Sequence, residues 1–241
     1  MTEESGERRE VSGATVARLP DYLHVLTRLA EQGITQVSSS ELASAVGVTP
    51  AQLRKDVSQL GSYGVRGVGY DTEHLAGRIA VALGLTRPWP IVIVGIGRLG
   101  QALAHYPGLA ERGLDVAALF DIDPALIGST IGDLPIHDMA DLPRVVAELA
   151  PVIAVIATPA SAAADVCARL ADAGVTAVLN FAPDVLAAPP GIHLRQVDVA
   201  HELQILAYHA QGAQASPAVG TLPGAPGPRE ESAQPPAEVS L

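Results

Sequence analysis

Two patterns of apolar and polar positions divide the chain. Across residues 15–84, apolar residues recur at helical spacing, as Leu23, Leu26 and Leu29 show. Across residues 90–197, short apolar runs alternate with helical stretches. The runs read "IVIVG", "LDVAALFD", "VIAVIATP", "TAVLNF" and "IHLRQV". Near-continuous apolar strands with helices between them predict an α/β fold, with a parallel sheet that is covered on both faces.

Residues that favour helix ends subdivide the first region. Ser38 with Glu41 predicts a capping box at the start of one short helix, and Thr49 is suited to cap the next. We expect Gly61 to stop that second helix and Asp71 to cap a third. The intervening segment, "GSYGVRGVGY", is rich in glycine and predicts a tight hairpin. Two short helices followed by such a hairpin predict a winged helix-turn-helix.

The second helix of this motif, "TPAQLRKDVSQL", carries its polar residues away from its apolar stripe. Their side chains can reach base edges or phosphates, and they are Gln52, Arg54, Lys55, Ser58 and Gln59. In the hairpin, Arg66 lies between glycines, where little bulk would block an approach to a DNA groove. The alternatives are an ordinary solvated helix face and a surface loop. Together the two features favour DNA as a partner.

A glycine-rich turn follows the first apolar run of the second region. Gly95, Gly97 and Gly100 fit the G-x-G-x-x-G pattern, in which glycines permit a tight turn, backbone approach to a pyrophosphate and close packing of helix on strand. The next strand ends at Asp121, about 20 residues further on, where a carboxylate can bind ribose hydroxyls. The alternative is a turn that only packing requires. The candidate pyrophosphate loop comprises Gly95, Ile96, Gly97, Arg98, Leu99 and Gly100.

Charge favours the nucleotide without a 2′-phosphate. Asp123 adds a second carboxylate near Asp121, and no Arg or Lys lies between residues 113 and 143. A 2′-phosphate would be repelled there, so the sequence favours NADH and NAD⁺ over their phosphorylated forms.

Composition limits the remaining function classes. The net charge of −11 argues mildly against nucleic acid, but residues 15–70 hold five basic and four acidic side chains. Cys167 is the single cysteine, which excludes an internal disulfide framework and a multi-thiolate zinc site. The N-terminal segment has no apolar stretch typical of a signal peptide, and no run of about 18 apolar residues occurs. The default expectation is a cytoplasmic protein with no membrane partner.

No recognisable catalytic set accompanies the nucleotide loop. Hydride transfer needs a proton donor or acceptor near the nicotinamide, and the only lysine, Lys55, lies far upstream. The histidines show no zinc spacing. We therefore expect no catalytic residue and no metal. The open alternatives are a dehydrogenase with an appended regulatory domain, a coenzyme-A-binding module and a structural scaffold.

Five stretches of the chain resemble the Rex family of redox-sensing transcriptional repressors. They are "LRKDVSQLGSYGVRGVGY", "VIVGIGRLG", "ATPA", "LNFAP" and "VDVAHELQILAYH", and the resemblance covers about residues 14–211. It implies a homodimer with a winged-helix DNA-binding domain, a Rossmann domain and a swapped C-terminal helix. It also implies binding to palindromic operators upstream of respiratory and fermentative genes. NADH would release the repressor from DNA, whereas NAD⁺ would bind more weakly and leave it bound.

The resemblance assigns roles to individual residues. Arg54 and Lys55 would contact the operator, with Arg66, Gly67 and Tyr70 in the wing. The glycine loop would hold the pyrophosphate and Asp121 the adenosine ribose, while the pocket would be lined after the fourth strand by Thr158, Pro159 and Ala160. The redox-responsive set, whose pairings across the dimer change with the nicotinamide, would be Arg18, Tyr106 and Asp198.

Composition and the resemblance together predict the domain boundaries, with the two tails assigned from their polar and Pro/Ala-rich composition. They are a disordered tail over residues 1–13, the winged helix over 14–86, the Rossmann domain over 87–197, the swapped helix over 198–212 and a disordered Pro/Ala-rich tail over 213–241. Two residues depart from the common pattern. Gln59 stands where an aromatic residue is frequent, and Arg98 replaces a frequent Asn. The extra cation of Arg98 could strengthen binding of both NAD⁺ and NADH.

Overall fold

The computed structural model describes residues 11–61 and 69–214. Within these ranges, no helix is both long enough and apolar enough to cross a membrane. The predicted disordered tails lie largely outside the described residues. At their inner ends, however, Gly13 begins a helix and residues 213–214 continue one.

The described residues of the first region form five helices and a small antiparallel pair of strands. Their bounds are α1 (Gly13–Val16), α2 (Leu19–Glu31), β1 (Gln36–Val37), α3 (Ser39–Val46), α4 (Pro50–Leu60), β2 (Tyr70–Asp71) and α5 (Thr72–Leu83). Helices α2 to α5 bury one face each around a common apolar core, as their spacing predicts. This core includes Leu19, Tyr22, Leu26, Leu42, Leu53, Val57, Tyr70, Leu75 and Ile79.

The predicted helix ends of this region are confirmed. Ser38 and Glu41 form a capping box, because each side chain accepts a hydrogen bond from the other residue's backbone N–H. Thr49 caps α4 through the N–H of Gln52, and Gly61 ends that helix. Asp71 caps α5. The helix-turn-helix of α3 and α4 is therefore present, while residues 62–68 of the predicted wing lie outside the described residues.

The second region is a seven-stranded sheet with helices between its strands. The strands are β3 (Trp89–Val94), β4 (Leu114–Asp121), β5 (Thr130–Ile131), β6 (Leu134–Asp138), β7 (Ile153–Ile156), β8 (Ala177–Asn180) and β9 (His193–Gln196). The helices are α6 (Arg98–Ala104), α7 (Pro107–Ala110), α8 (Leu142–Leu149) and α9 (Ala160–Asp172), with a 3₁₀ turn at Met139–Asp141. Strand order is β5-β6-β4-β3-β7-β8-β9, and every pairing is parallel except β5 with β6.

Alternate residues of the central strand enter different cores, as a sheet covered on both faces requires. Val92 and Val94 of β3 belong to one buried cluster, and Ile91 and Ile93 belong to another. The five predicted strands are confirmed. Strands β5 and β6 were not among them, since only Ile136 of β6 is fully buried and the pair lies at one edge of the sheet.

A final helix, α10 (Val199–Gln214), belongs to a second compact unit that begins at Asp198. The Asp198 carboxylate accepts hydrogen bonds from the backbone N–H groups of Ala200 and His201. It therefore satisfies two donors that the first turn of a helix leaves free. The apolar side chains of this helix are exposed in the single chain, among them Val199, Leu203, Leu206 and Tyr208.

Candidate functional site

The glycine loop lies where the strand order of the sheet reverses. The chain runs from β3 to β4 on one side of it and returns to β7 on the other side. The carboxyl ends of β3 and β7 therefore form a crevice, which is where open α/β sheets bind ligands. The loop connects β3 to α6 at this point.

Two glycines of the loop are required by the protein's own packing. Gly95 has φ of +95°, and a Cβ placed there would lie 2.8 Å from the backbone oxygen of Ala157. A Cβ on Gly100 would overlap the backbone oxygen of Gly95. By contrast, a Cβ on Gly97 would meet no protein atom within 4 Å. Packing within the chain therefore does not explain Gly97, and the open space beside it suits a ligand that approaches the backbone.

Asp121 ties the glycine loop to the end of β4. Its Oδ2 accepts a hydrogen bond of 2.6 Å from the N–H of Ile96. Its Oδ1 accepts bonds of 2.7 and 2.9 Å from the N–H groups of Ile122 and Asp123. Since a carboxylate offers about four acceptor positions, Asp121 retains capacity for one ribose hydroxyl. The carboxylate is fixed in place before any ligand arrives.

Thr158 supplies an unsatisfied group beside the loop. Its hydroxyl oxygen is buried and has no hydrogen-bond partner among the described residues. Its methyl carbon lies 2.8 Å from the position that a Cβ on Gly95 would take. Buried hydroxyls are normally hydrogen-bonded, so an unpartnered one just after β7, next to the glycine loop, indicates a missing polar partner. The open space at Gly97, the fixed Asp121 and the free Thr158 hydroxyl together fit a nucleotide.

The other predicted loop residues differ in what they can contribute. Ile96 is fully buried in a core cluster, and Asp121 already takes its N–H, so neither its side chain nor its N–H is available to a ligand. The side chains of Arg98 and Leu99 are exposed. Pro159 precedes α9, and Ala160 is its first residue. Of the predicted pocket residues, Ile96 is thus the one that the structure assigns to the core.

A buried carboxylate at Asp56 organises the helical region. Its side chain is 0% exposed and accepts five hydrogen bonds. Arg18 donates two of them, from Nε at 2.7 Å and from Nη2 at 2.8 Å. The hydroxyls of Thr15 and Tyr22 donate from 3.0 and 2.8 Å, and Nε2 of Gln52 donates from 2.8 Å. We call these five side chains the Asp56 cluster.

The cluster keeps Asp56 ionised. Burial raises the pKa of this carboxyl, but hydrogen bonds from Arg18, Tyr22, Gln52 and Thr15 outweigh burial and lower it to about 2. Burial and the bond to Asp56 raise the pKa of Tyr22 to about 12. The same carboxylate raises the pKa of Arg18. One negative charge thus joins α1 and α2 to α4.

Sequence reasoning did not identify Asp56, although the sequence contains a signal for it. Asp56 lies three residues after Leu53 and one before Val57, on the apolar stripe of its helix. A charged residue on a buried stripe requires partners. One of these partners, Arg18, lies 38 residues away in the sequence, and no local pattern reveals it.

The structure divides the predicted DNA contacts into exposed side chains and side chains that are already hydrogen-bonded within the protein. Arg54, Lys55 and Ser58 are exposed on α4, with Arg54 donating to the Ser39 hydroxyl. Gln59 belongs to the second group, because its amide accepts a hydrogen bond from the N–H of Ser12 and donates one to the Thr15 hydroxyl. The prediction that Gln59 reaches DNA is therefore corrected. Gln52 is half-buried and is bonded to Asp56.

Tyr70 also requires correction. It is only 6% exposed and belongs to the core of the helical region, because β2 pairs with β1 and turns this side chain inward. Burial raises the pKa of its phenol. Tyr70 therefore packs into the core of the helical region rather than presenting its ring to DNA. Arg66 and Gly67 lie outside the described residues.

The three predicted redox-responsive residues each have a local environment. Arg18 is paired with Asp56, although its guanidinium retains further N–H donors. The Tyr106 ring is half-exposed and lies against Gly108, where a Cβ would be 2.6 Å from its Cζ. Asp198 caps α10.

Among the described residues, no group of three or more His, Cys, Asp or Glu could hold a metal, and Cys167 is buried.

Comparison with known proteins now identifies the family. Residues 10–58 match the family model of a putative DNA-binding protein N-terminus, and residues 86–184 match that of a CoA binding domain. The redox-sensing transcriptional repressor Rex of Streptomyces avermitilis is 53% identical over 219 residues, which cover 90% of this chain and 87% of that protein. The chain belongs to the Rex family.

Solved structures agree with this assignment. RSP, a Rex-family repressor, is similar to this chain in its crystal structure with β-NAD⁺ and operator DNA, at 32% identity and a TM-score of 0.78. This match covers 85% of the chain and 94% of RSP. The structure of RSP with β-NADH matches at a TM-score of 0.75 and 31% identity. This match covers 85% of the chain and 96% of RSP. The α/β fold with an N-terminal DNA-binding domain is thus confirmed.

Proposed function

We propose that this chain is a cytoplasmic homodimeric repressor that binds palindromic operator DNA and is released by NADH. The observation that carries the proposal is the glycine loop with the unpartnered, buried Thr158 hydroxyl beside it, in a chain whose α4 also exposes Arg54 and Lys55. Its relatives are named as repressors. In a repressor, the glycine loop would bind the sensed nucleotide and α4 would bind DNA. The proposed function assigns no catalytic role to any residue.

The nucleotide would be held through groups that the fold already fixes. The open backbone at Gly97 would approach the pyrophosphate, Asp121 would accept a ribose hydroxyl, and the Thr158 hydroxyl would gain its missing partner. The carboxylates of Asp121 and Asp123 disfavour a 2′-phosphate, so NAD(H) is the expected ligand.

DNA would be bound by two copies of the helix-turn-helix. Arg54, Lys55 and Ser58 on α4 would enter the major groove or contact phosphates, together with Arg66 and Gly67 of the wing that the sequence predicts. The exposed apolar face of α10 provides the surface for a second copy, since Val199, Leu203 and Leu206 fall at helical spacing. A swapped α10 would bury these side chains and set the spacing of two half-sites.

The redox response would follow from the charge of the nicotinamide. NAD⁺ and NADH differ by one hydride and by the positive charge on the ring, and a closed apolar pocket disfavours that charge. Closure around neutral NADH would rotate the Rossmann domains and move the two α4 helices out of half-site register. A nearly complete shift needs a difference in affinity of roughly 5 kcal/mol between the two states.

Fluorescence anisotropy of a labelled palindromic Rex-type operator tests the proposal. The full chain should bind this DNA, and NADH should release it at concentrations at which NAD⁺ has little effect. Binding that neither nucleotide disturbs would overturn redox sensing. A coenzyme A titration covers the second candidate ligand, which the match of residues 86–184 to a CoA binding domain favours. NADH turnover with added substrates would instead indicate a dehydrogenase.

An Asp198→Asn substitution should weaken the NADH response and leave DNA binding intact. Asparagine caps helices as well as aspartate does, so α10 keeps its start and loses only the charge. We expect the NADH concentration for half-release to rise by about tenfold. Asp198→Ala, which loses both cap and charge, is the comparison in the same anisotropy assay. If NADH releases the Asn variant from DNA as it releases the wild type, Asp198 only caps α10 and its charge has no part in the redox response.

A further inference from the structure

The amide of Gln52 is held in one orientation at the start of α4. Its Nε2 donates to Asp56 Oδ1 at 2.8 Å. A carboxylate only accepts hydrogen bonds, so the amide cannot flip without facing oxygen to oxygen. Its Oε1 and its second N–H have no partner among the described residues. Gln52 therefore carries one acceptor and one donor in a fixed relation, on a half-buried side chain.

The support behind this amide is rigid. Asp56 is itself held by Thr15 and by Arg18 and Tyr22, at donor–acceptor distances of 2.7 to 3.0 Å. These partners lie on α1, on α2 and, for Arg18, directly before α2, so Gln52 is connected through one carboxylate to the core of the helical region. A side chain that is already ordered loses less entropy when it binds a ligand.

Gln59 on the same helix provides a contrast. Its Oε1 accepts from the N–H of Ser12 at 2.9 Å, and its Nε2 donates to Thr15 Oγ1 at 2.8 Å. Both ends of this amide are therefore occupied within the protein. Gln52 is tied at its nitrogen alone, and it lies in the first turn of α4, the part of a recognition helix that contacts base edges.

The free groups of Gln52 match one base. A carbonyl oxygen requires a donor, and in the major groove only adenine N6 and cytosine N4 donate. The second N–H requires an acceptor next to that donor on the same base, which adenine N7 supplies and cytosine lacks. Guanine presents two acceptors and would oppose the oxygen. We propose that Gln52 reads an adenine in each operator half-site and that Asp56 is the positioning residue that holds its amide.

This inference rests on the proposed function, since it requires α4 to lie in the major groove. The test measures binding of the full chain to a panel of operators, each with one base pair replaced symmetrically in both half-sites. The wild-type chain should lose about tenfold or more in affinity when the adenine is replaced. Gln52→Ala should bind the original and the replaced operator about equally, while other positions keep their effects.

Two further variants separate positioning from general stability. Gln52→Glu retains the length of the side chain but cannot donate to Asp56 or to N7, so it should lose the preference for adenine. Asp56→Asn should lose discrimination at the same base pair as Gln52→Ala. A merely structural Asp56 would instead weaken binding to every operator by the same factor. Gln59→Ala is the matched control and should keep the adenine preference.

The outcomes distinguish this inference from the proposed function. If the wild-type chain binds no operator, the proposed function is wrong. If it binds, but Gln52→Ala retains the wild-type pattern at every base pair, the reading of adenine by Gln52 is overturned. If Gln52→Ala loses the pattern while Asp56→Asn, folded by circular dichroism, keeps it, then Asp56 does not position the amide.

Discussion

Replacing Gly100 with alanine will remove the response to NADH and leave operator binding in place. The added Cβ would overlap the backbone oxygen of Gly95 and lie 3.0 Å from its carbonyl carbon. Both are backbone atoms, so α6 must move away from β3 to make room. Gly95 cannot yield easily, because its φ is +95° and its N–H donates to the carbonyl of Phe120 at 2.9 Å.

The expected size of the effect is large for ligand binding and moderate for folding. Overpacking of this kind costs about 1–3 kcal/mol of unfolding free energy. The affinity for NADH should fall by about a hundredfold or more, since the loop that would face the pyrophosphate is displaced. Calorimetric titration with NADH measures the affinity, and operator anisotropy without nucleotide should match the wild type.

Gly97→Ala is the matched control for this substitution. A Cβ at Gly97 meets no protein atom within 4 Å, so thermal stability should stay close to that of the wild type. If the open space belongs to the nucleotide, NADH affinity should still fall. A Gly97→Ala chain that binds NADH normally would show that the ligand does not approach this part of the loop. Unchanged NADH binding by Gly100→Ala would contradict the packing argument.

Asp56→Ala will unfold or severely destabilise the helical region. The substitution leaves Thr15, Arg18, Tyr22 and Gln52 without their common acceptor in a buried setting. Breaking a buried ion pair by removing one partner costs about 3–5 kcal/mol, which is a large part of the stability of a small domain. Operator binding should be lost.

The sheet should survive this substitution, because its core clusters share no residue with that of the helical region. NADH binding is therefore expected to persist, and a thermal melt should show an early transition for the helical region alone. Asp71→Ala, an exposed helix cap in the same region, is the control and should cost about 1 kcal/mol. Equal effects of the two substitutions would contradict a special role for Asp56.

The pH dependence of stability provides an independent check on the Asp56 cluster. The pKa of Asp56 lies at about 2, below its ordinary value of 3.8, so its charge stabilises the folded state above pH 3.8 by about 2 kcal/mol. This contribution should be lost as pH falls towards 2. The pKa of Tyr22 is raised to about 12 from 10.0, so its contribution is present below pH 10 and lost as pH rises past 12. Urea unfolding at several pH values measures both limits.

Some of the site was predictable because its determinants are local. The cap at Ser38, the cap at Thr49 and the stop at Gly61 each depend on hydrogen bonds or backbone angles within one helical turn. The glycine loop was predictable for a similar reason, since its glycines recur at a fixed spacing directly after β3, from Gly95 to Gly100. Spacing along the chain suffices to identify such features.

Other features were not predictable because distant segments determine them. Tyr70 reads as part of an exposed wing until β2 pairs with β1. Gln59 resembles its exposed neighbours until α1 places Ser12 and Thr15 beside it. Strand β6, next to the edge strand β5, has a weak apolar pattern, because only Ile136 of its residues is buried.

The sequence by itself determined where the helices begin and end, which strand carries the nucleotide loop and which helix of the first region displays Arg54 and Lys55. Each of these depends on residues within one turn or one strand of each other. Only the tertiary structure decided that Arg18 and Gln52 share the carboxylate of Asp56, and that Thr158 keeps a buried hydroxyl free. The physical reason is that the partner of a buried polar group is chosen by how helices and strands pack, and packing joins residues far apart in the chain.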